Sequence, residues 1–335
     1  MNTNAKQTGL IDSFGRTINY IRISITDRCD FRCVYCMSED MTFLPKSKIL
    51  TLEEIEALCG IFVELGIRKI RLTGGEPLVR NNVTKLIENI GQLEKLEELT
   101  ITTNGSQLVK YADKIKKAGV SRINISLDTL DEKKFRELTR TGSLSKVLEG
   151  IEAARRAGFD RIKINSVILK NRNSDEVSNL AKFAIENEFD ISFIEEMPLG
   201  TIIEHNRAEA FYSSDQIIKD LQKSFSLKNS KEKTNGPSRY MSVEGTNSKI
   251  GFISPHSNKF CNQCNRVRLT AEGQLLLCLG QENSIDLKQL IRNNSNDRET
   301  IKTAIINSIK NKPKEHFFEL QEKPVILRFM SHTGG

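Results

Sequence analysis

Six segments rich in β-branched residues alternate with helix-periodic segments between residues 19 and 197. The predicted strands are NYIRISIT, IRKIRLTG, EELTITTN, SRINISLD, RIKINSVIL and DISFIEEM. The predicted helices lie near residues 51–66, 81–95, 107–118, 131–157 and 174–188, and a glycine stands where several of them should end. This succession of strand–helix units indicates a parallel α/β sheet, most simply an incomplete (β/α)6 TIM-like barrel.

Each early strand carries polar side chains at one set of alternate positions and apolar side chains at the other. The polar positions are Arg22, Ser24, Thr26, Lys69, Arg71, Thr73, Thr100, Thr102, Asn104, Asn124, Ser126, Asp128, Lys163 and Asn165. Alternate positions share a face. An antiparallel sheet with one solvated face would show the same alternation, but the intervening helices favour a parallel sheet whose apolar face they cover. The polar face then lines the interior. Since buried charge is costly, we expect a cavity for an anionic ligand there.

The pattern changes after about residue 222. This change predicts a first domain over residues 1–222 and a smaller C-terminal α+β domain over residues 223–335. The segment NSKEKTNGPSR is polar and rich in turn-forming residues, as expected of a loop. Two short strand candidates, RYMSVEG and KIGFISP, follow it, and further helical segments continue to about residue 310.

Composition and charge narrow the classes of protein to consider. The chain has 335 residues, of which 38% are hydrophobic and 28% charged, as in globular proteins. Its apolar runs are too short to span a bilayer and its N-terminal segment is polar, so we expect no membrane partner and a cytoplasmic location. The net charge of +7 is compatible with an anionic ligand. No long basic run or RNA-binding signature accompanies it, so no nucleic-acid partner is predicted.

The seven cysteines form two sets of three and one isolated residue. Cys59 lies on the apolar face of a predicted helix and is expected in the core. The first set, Cys29, Cys33 and Cys36, follows the first strand directly. The second set is Cys261, Cys264 and Cys278. We call these the first trio and the second trio.

A trio of thiolates without an adjacent fourth ligand predicts an iron–sulfur cluster with one open iron. Structural zinc takes four protein ligands, whereas a four-iron cluster needs one ligand for each iron, and three cysteines leave one position for a substrate or cofactor. Zinc remains a rival at the second trio, because His256 lies five residues before Cys261 and could be a fourth ligand.

The spacing Cys-x3-Cys-x2-Cys after the first strand, with LTGGEP after the second, resembles the radical S-adenosylmethionine (SAM) family. In that family SAM chelates the open iron, and one electron cleaves it to methionine and a 5′-deoxyadenosyl radical. Gly74 and Gly75 are expected to let a ligand approach the backbone closely. In the family this loop meets the methionine part of SAM.

Three features resemble the GTP-cyclising branch of that family, which begins molybdenum cofactor biosynthesis: the second trio, the NRVRL directly after Cys264, and the terminal Gly-Gly. The resemblance covers nearly the whole chain and implies two [4Fe-4S] clusters, the second of which contacts the guanine of GTP. It implies that SAM contacts Tyr35, Gly75, Ser126 and Met197. It implies that GTP contacts Arg22, Arg71, Thr102, Lys163, Arg266 and Arg268, with Lys69 nearby. It also implies that Gly334 and Gly335 support catalysis.

The resemblance also implies an external reductant and a partner, cyclic pyranopterin phosphate synthase, that takes the product 3′,8-cyclo-7,8-dihydro-GTP. A monomer and a homodimer are both compatible with the sequence. Two other functions stay open at this point. One is a different radical SAM enzyme with an auxiliary cluster, such as a peptide modifier. The other is a non-enzymatic iron–sulfur or zinc protein that binds nucleic acid through its basic surface.

Overall fold

The computed structural model describes residues 9–202, 205–230, 236–294, 297–318 and 326–334. Its strands are β1 (Leu10–Ile11), β2 (Thr17–Ile18), β3 (Tyr20–Ser24), β4 (Lys69–Thr73), β5 (Glu98–Thr103), β6 (Arg122–Ser126), β7 (Arg161–Ile168), β8 (Asp190–Glu195), β9 (Leu227–Asn229), β10 (Arg239–Val243), β11 (Lys249–Ile253), β12 (Arg266–Leu269), β13 (Gln274–Leu276) and β14 (Ser284–Asp286). Its α-helices are α1 (Leu52–Glu64), α2 (Val83–Gly91), α3 (Leu108–Lys117), α4 (Glu132–Thr139), α5 (Leu144–Arg156), α6 (Val177–Glu186), α7 (Arg207–Ala210), α8 (Ser214–Gln222), α9 (Leu287–Asn293), α10 (Arg298–Ile309) and α11 (Met330–Thr333).

The six strands β3 to β8 are parallel and lie side by side in sequence order, which confirms the predicted (β/α)6 arrangement. Their apolar positions, such as Ile21, Ile23 and Ile70, are fully buried in one continuous core with the helices. Cys59 is fully buried in that core, as expected. Each buried methylene contributes roughly 0.8 kcal/mol, so burial of this layer stabilises the barrel. Across the described ranges, no helix is both long and apolar enough to cross a membrane.

The segment beyond residue 222 extends both edges of the barrel sheet. At one edge β12 pairs in parallel with β3, and β13 and β14 continue the sheet in antiparallel fashion. At the other edge β11 pairs in parallel with β8, followed by antiparallel β10 and β9. Over the described residues, the resulting sheet has 12 strands. The division of the chain at residue 222 stays a prediction, and the predicted loop at residues 229–239 lies partly outside the described residues.

The prediction of one helix over residues 131–157 is wrong, because the chain forms α4 and α5 with a break between them. Arg140 ends α4 with a φ of 61°. The main-chain carbonyls of Leu138 and Thr139 turn towards the cysteine loop and accept hydrogen bonds from the Val34 and Arg32 amides, both at 2.9 Å. Helical periodicity does not register this break, which supports the loop of the first trio.

Candidate active site

Both cysteine trios line the same cavity inside the open barrel. Most of the polar strand positions line it as well, which confirms that the polar face of the sheet is the inner one. These lining residues are Arg22, Lys69, Arg71, Thr73, Thr102, Asn104, Asn124, Ser126, Asp128, Lys163 and Asn165. The remaining polar positions are fully buried; the hydroxyls of Ser24 and Thr100 donate to main-chain carbonyls.

The first trio lies in the loop that follows β3, at the carboxyl end of the barrel. The sulfur of Cys29 accepts hydrogen bonds from the Phe31 amide at 3.4 Å and the Asn104 side chain at 3.8 Å. Burial raises the pKa of all three thiols, that of Cys36 to about 12. Buried thiols of this kind become thiolates only beside a cation, so the donor set fits an iron–sulfur cluster and not a free nucleophile.

The two glycines of LTGGEP allow the loop after β4 to lie against the cysteine loop. A Cβ atom on Gly75 would lie 2.5 Å from the Arg28 carbonyl oxygen, and one on Gly74 would lie 2.7 Å from the Thr26 carbonyl oxygen. The Gly75 amide donates to the same Thr26 carbonyl at 2.8 Å. The space that a Cβ atom on either glycine would occupy is therefore filled by protein backbone, while the close approach of a ligand to this loop stays a prediction. Gly75 still lines the cavity.

Glu76, which follows the glycines, fixes two loops of the site. Its carboxylate accepts hydrogen bonds from the Leu78 amide at 3.0 Å, the Thr103 hydroxyl at 2.8 Å and the Asn104 amide at 2.6 Å. Burial raises the pKa of this carboxyl to about 8. The loops after β4 and β5 are thus held together beneath the first trio.

The residues predicted to contact SAM lie together at the carboxyl ends of the strands. Tyr35, Gly75, Ser126 and Met197 all line the cavity, from the loops or ends of β3, β4, β6 and β8. The Tyr35 hydroxyl donates to Asp128 at 2.7 Å. Burial raises the pKa of Asp128 to about 6. The carboxyl end of a parallel barrel is where such enzymes place their active sites.

Two rows of side chains cross the neighbouring strands β12, β3 and β4 on the inner face. In strand register they are Arg268, Arg22 and Arg71 in one row, and Arg266, Tyr20 and Lys69 in the other. We call these six residues the cation grid. Neighbouring strands lie about 4.8 Å apart, so like charges in the grid repel one another. Glu98 pairs with Lys69 at 2.5 Å, but within the described ranges no carboxylate pairs with the four arginines. The grid therefore suits an anionic ligand.

The buried Nε of Arg22 also indicates an anionic ligand at this position. It is buried and has no hydrogen-bond partner among the described residues. Burial, aided by the charges of Arg71 and Arg266, lowers the pKa of Arg22 to about 10. A bound anion would accept a charge-assisted hydrogen bond from this guanidinium and stabilise its charge.

Tyr20 is a site residue that was not predicted from the sequence. Its hydroxyl oxygen accepts a hydrogen bond from the Nε of Arg71 at 2.9 Å. Burial alone would raise the pKa of Tyr20, but the charges of Arg71, Arg22 and Lys69 outweigh it and lower the pKa to about 7. The signal was available, because Tyr20 stands two positions before Arg22 and shares its face.

Thr102 and Lys163 extend the polar lining away from the grid. The Thr102 hydroxyl oxygen accepts from Arg71 at 3.1 Å. The ammonium of Lys163 donates to the Tyr240 hydroxyl at 2.5 Å. Tyr240, on β10, was also missed, because nothing in the local sequence indicates that β10 joins the barrel sheet.

The second trio lies on the opposite side of the cavity, around β12 and β13. Burial raises the pKa of the Cys278 thiol. Burial would also raise the pKa of Cys264, but the charges of Arg266 and Lys312 outweigh it and hold that pKa below its ordinary value. Like the first trio, these are three thiols facing a cavity, which fits a cluster with one open iron.

The histidine nearest the second trio is His316, whereas the sequence pointed to His256 as a possible fourth zinc ligand. The Nδ1 of His316 lies 3.5 Å from the Cys261 sulfur. His256 instead places its Nε2 2.9 Å from the Glu196 carbonyl oxygen. In the part of the chain that the structure describes, no three His, Cys, Asp or Glu side chains gather tightly enough to hold a single metal ion. The nearer candidate for a fourth zinc ligand is therefore His316 and not His256.

The C-terminal segment reaches the cation grid. Arg268 donates from Nη1 to the main-chain carbonyls of Gly334 and Thr333, the latter at 3.4 Å. Gly334 has a φ of 77°, and a Cβ atom there would overlap the Thr73 hydroxyl oxygen. Met330 lines the cavity. Gly335 lies outside the described residues.

Comparisons with known proteins agree with this site. A family model described as the Radical SAM superfamily matches residues 23–184, and one described as Molybdenum Cofactor Synthesis C matches residues 189–318. A protein of Saccharophagus degradans named GTP 3′,8-cyclase is 55% identical over 97% of this chain and 98% of its own length. The GTP 3′,8-cyclase of Pseudomonas syringae pv. syringae is 56% identical over the same shares of the two chains.

Among solved structures, SuiB of Streptococcus suis bound to S-adenosylmethionine matches with a TM-score of 0.61. The match covers 93% of this chain and 77% of SuiB at 16% identity, so it concerns the fold alone. The family models and the closely similar relatives carry the assignment. The chain belongs to the radical SAM family and, within it, to the family of the GTP 3′,8-cyclases.

Proposed function

We propose that this protein converts GTP to 3′,8-cyclo-7,8-dihydro-GTP, the first step of molybdenum cofactor biosynthesis. The observation that carries the proposal is a single cavity with a cysteine trio on each side and the cation grid beside them. Two reactive centres that face one anion-binding space suit a reaction between SAM and a nucleoside triphosphate. The identity above 50% to proteins named GTP 3′,8-cyclase supports GTP as that triphosphate.

The first trio would hold a [4Fe-4S] cluster whose open iron binds SAM, with Tyr35, Gly75, Ser126 and Met197 around it. When bound, the cluster and SAM would supply the one-electron radical chemistry that removes a hydrogen atom from ribose C3′ of GTP and allows C3′ to bond to guanine C8. The chain's own task is to position the two molecules and to exclude water. Glu76 and Asp128 do so indirectly, since they hold the loops that carry these contacts.

The second trio would hold a second [4Fe-4S] cluster and leave one of its irons available to the guanine. The grid would bind the triphosphate, with Arg22, Arg71 and Arg266 as direct contacts. Arg268 would act partly through the C-terminal segment that it holds. Thr102 and Lys163 would complete the pocket, and Gly334 and Gly335 would support catalysis from the tail. An external reductant would supply electrons, and cyclic pyranopterin phosphate synthase would take the product.

A peptide-modifying radical SAM enzyme is the second candidate, because SuiB, whose structure is also known with its precursor peptide SuiA, shares the fold with a TM-score of 0.59. A peptide backbone offers no concentrated negative charge to match the cation grid. The grid therefore favours a triphosphate over a peptide.

An anaerobic assay with SAM, a reductant and either GTP or a peptide tests the proposal. We expect 5′-deoxyadenosine and the cyclic nucleotide to form when GTP is the added substrate and not when a peptide is. We also expect about eight iron atoms per chain after reconstitution, as two four-iron clusters require. Product formation with a peptide but not with GTP would exclude the cyclase. Stoichiometric zinc at the second trio would exclude the second cluster.

Tyr20 predicts a pH dependence of GTP binding. Above pH 7 its hydroxyl ionises, which adds a negative charge to the cation grid, and bound triphosphate favours the neutral form. We therefore expect the KM for GTP to rise between pH 7 and pH 8.5, by up to about tenfold per pH unit. The variant Tyr20→Phe should show a KM that is flat over this range, though a few-fold higher at pH 6.5 because Arg71 loses an acceptor. The KM for SAM is the internal control, and an equal pH dependence in both proteins would contradict the assigned role.

A further inference from the structure

Lys312 is a buried cation with no acidic partner among the described residues. It follows α10, and its side chain is almost fully buried, with 2% of the residue exposed. Its ammonium donates to the main-chain carbonyls of Arg266, at 3.0 Å, and of Leu277. Within the described ranges no carboxylate forms an ion pair with it. A buried charge held only by neutral carbonyls is costly, so a negative group is missing from its surroundings.

The position of Lys312 identifies that negative group. Arg266 stands two residues after Cys264, and Leu277 directly precedes Cys278, so the ammonium bridges the start of β12 and the residue after β13, next to these two cysteines. The Arg266 carbonyl that accepts from Lys312 also lies 3.9 Å from the Cys264 sulfur. Lys312 lines the same cavity as the trio. The missing negative charge is therefore placed where the thiolates of the second trio would be.

We propose that Lys312 is the counter-charge of the cluster at the second trio and raises its reduction potential. Reduction adds one electron, and hence one negative charge, to the cluster. A fixed ammonium beside two of its three cysteines stabilises the reduced state more than the oxidised one. Net charge and hydrogen bonding near the sulfurs are the main determinants of such potentials. The inference rests on the second cluster proposed above.

The test uses the full chain with Cys29, Cys33 and Cys36 replaced by serine, so that iron reports on the second trio alone. In this background Lys312→Gln removes the charge and keeps a donor for the two carbonyls. Lys312→Arg keeps the charge. Lys314→Gln is the matched control, because it removes an exposed lysine two residues away. Each protein is reconstituted anaerobically and titrated with dithionite while the electron paramagnetic resonance of the reduced cluster is recorded.

At the potential where the background protein is half reduced, we expect Lys312→Gln to lower the ratio of reduced to oxidised cluster about tenfold, which corresponds to 59 mV for one electron. Lys312→Arg and Lys314→Gln should leave the ratio within threefold of the background protein.

Iron bound by Lys312→Gln with an unchanged potential would overturn the inference and leave the proposed function intact. A background protein that binds no iron would overturn the second cluster itself. Loss of iron in Lys312→Gln but not in Lys312→Arg would show that the charge holds the cluster, and loss in both would show a merely structural role and also overturn the inference.

Discussion

Replacing Cys33 by serine should abolish the formation of 5′-deoxyadenosine and remove about four of the eight iron atoms per chain. A serine hydroxyl is a poor substitute for a thiolate as an iron ligand, and the loop offers no replacement. Cys33 stands between Arg32 and Val34, whose amides donate to main-chain carbonyls at the end of α4. The loop therefore cannot shift to recruit another group. The measurements are iron content and chromatographic detection of 5′-deoxyadenosine under anaerobic conditions.

Cys59→Ala is the matched control for this experiment. Cys59 is a buried cysteine of the core outside both trios. Its replacement should cost about 1–2 kcal/mol of unfolding free energy through the small cavity left behind, while iron content and 5′-deoxyadenosine formation stay at the level of the unmodified protein. A Cys33→Ser protein that retained all its iron and its activity would contradict the role of the first trio.

The barrel strands and their inner face could be predicted because both are local properties of the sequence. Alternation over a few residues distinguishes the two faces of a strand, and parallel strands with helical connections leave the polar face inside. Arg22, Arg71 and Lys163 were placed in the cavity on this basis, and the structure confirms that they line it. The trios were found because their spacing is itself local.

The contacts that join distant segments could not be predicted from local patterns. The pairing of β12 with β3 brings Arg266 beside Tyr20, although 246 positions separate them in the chain numbering. No periodicity records that pairing, so the cation grid appeared in the sequence only as scattered basic residues. Lys312 was missed for the same reason: its significance depends on the two carbonyls that it meets.

These long-range pairings explain why one cavity contains both trios. The strands beyond residue 222 continue the sheet at both edges, and the second trio flanks the β12–β13 pair, of which β12 lies beside β3. β3 in turn ends at the loop of the first trio. The first strand of the barrel therefore lies between the two trios and carries Arg22 on its inner face. A substrate bound to that strand lies within reach of both.

Replacing Gly334 by alanine should lower GTP turnover about 100-fold while iron content and SAM binding are unchanged. With a φ of 77°, an L-residue at this position is strained by about 1 kcal/mol. The added Cβ atom would also overlap the Thr73 hydroxyl oxygen. The segment must then leave its position, and Arg268 loses its carbonyl partners next to the cation grid. Loss of about 3 kcal/mol of transition-state positioning corresponds to this rate factor.

Two controls separate the clash from the backbone strain. Gly15 has a similar φ of 75°, but a Cβ atom added there would have no other atom within 4 Å, so Gly15→Ala should reduce stability slightly and leave turnover unchanged. Thr73→Ala removes the hydroxyl that the new Cβ atom of Gly334→Ala would meet. Gly334→Ala should therefore lower turnover by a smaller factor in the Thr73→Ala protein than in the unmodified protein. A second contact, to the Cβ atom of Thr73 at 2.9 Å, keeps the recovery partial. Equal turnover in Gly334→Ala and the unmodified protein would mean that the tail plays no part in the reaction.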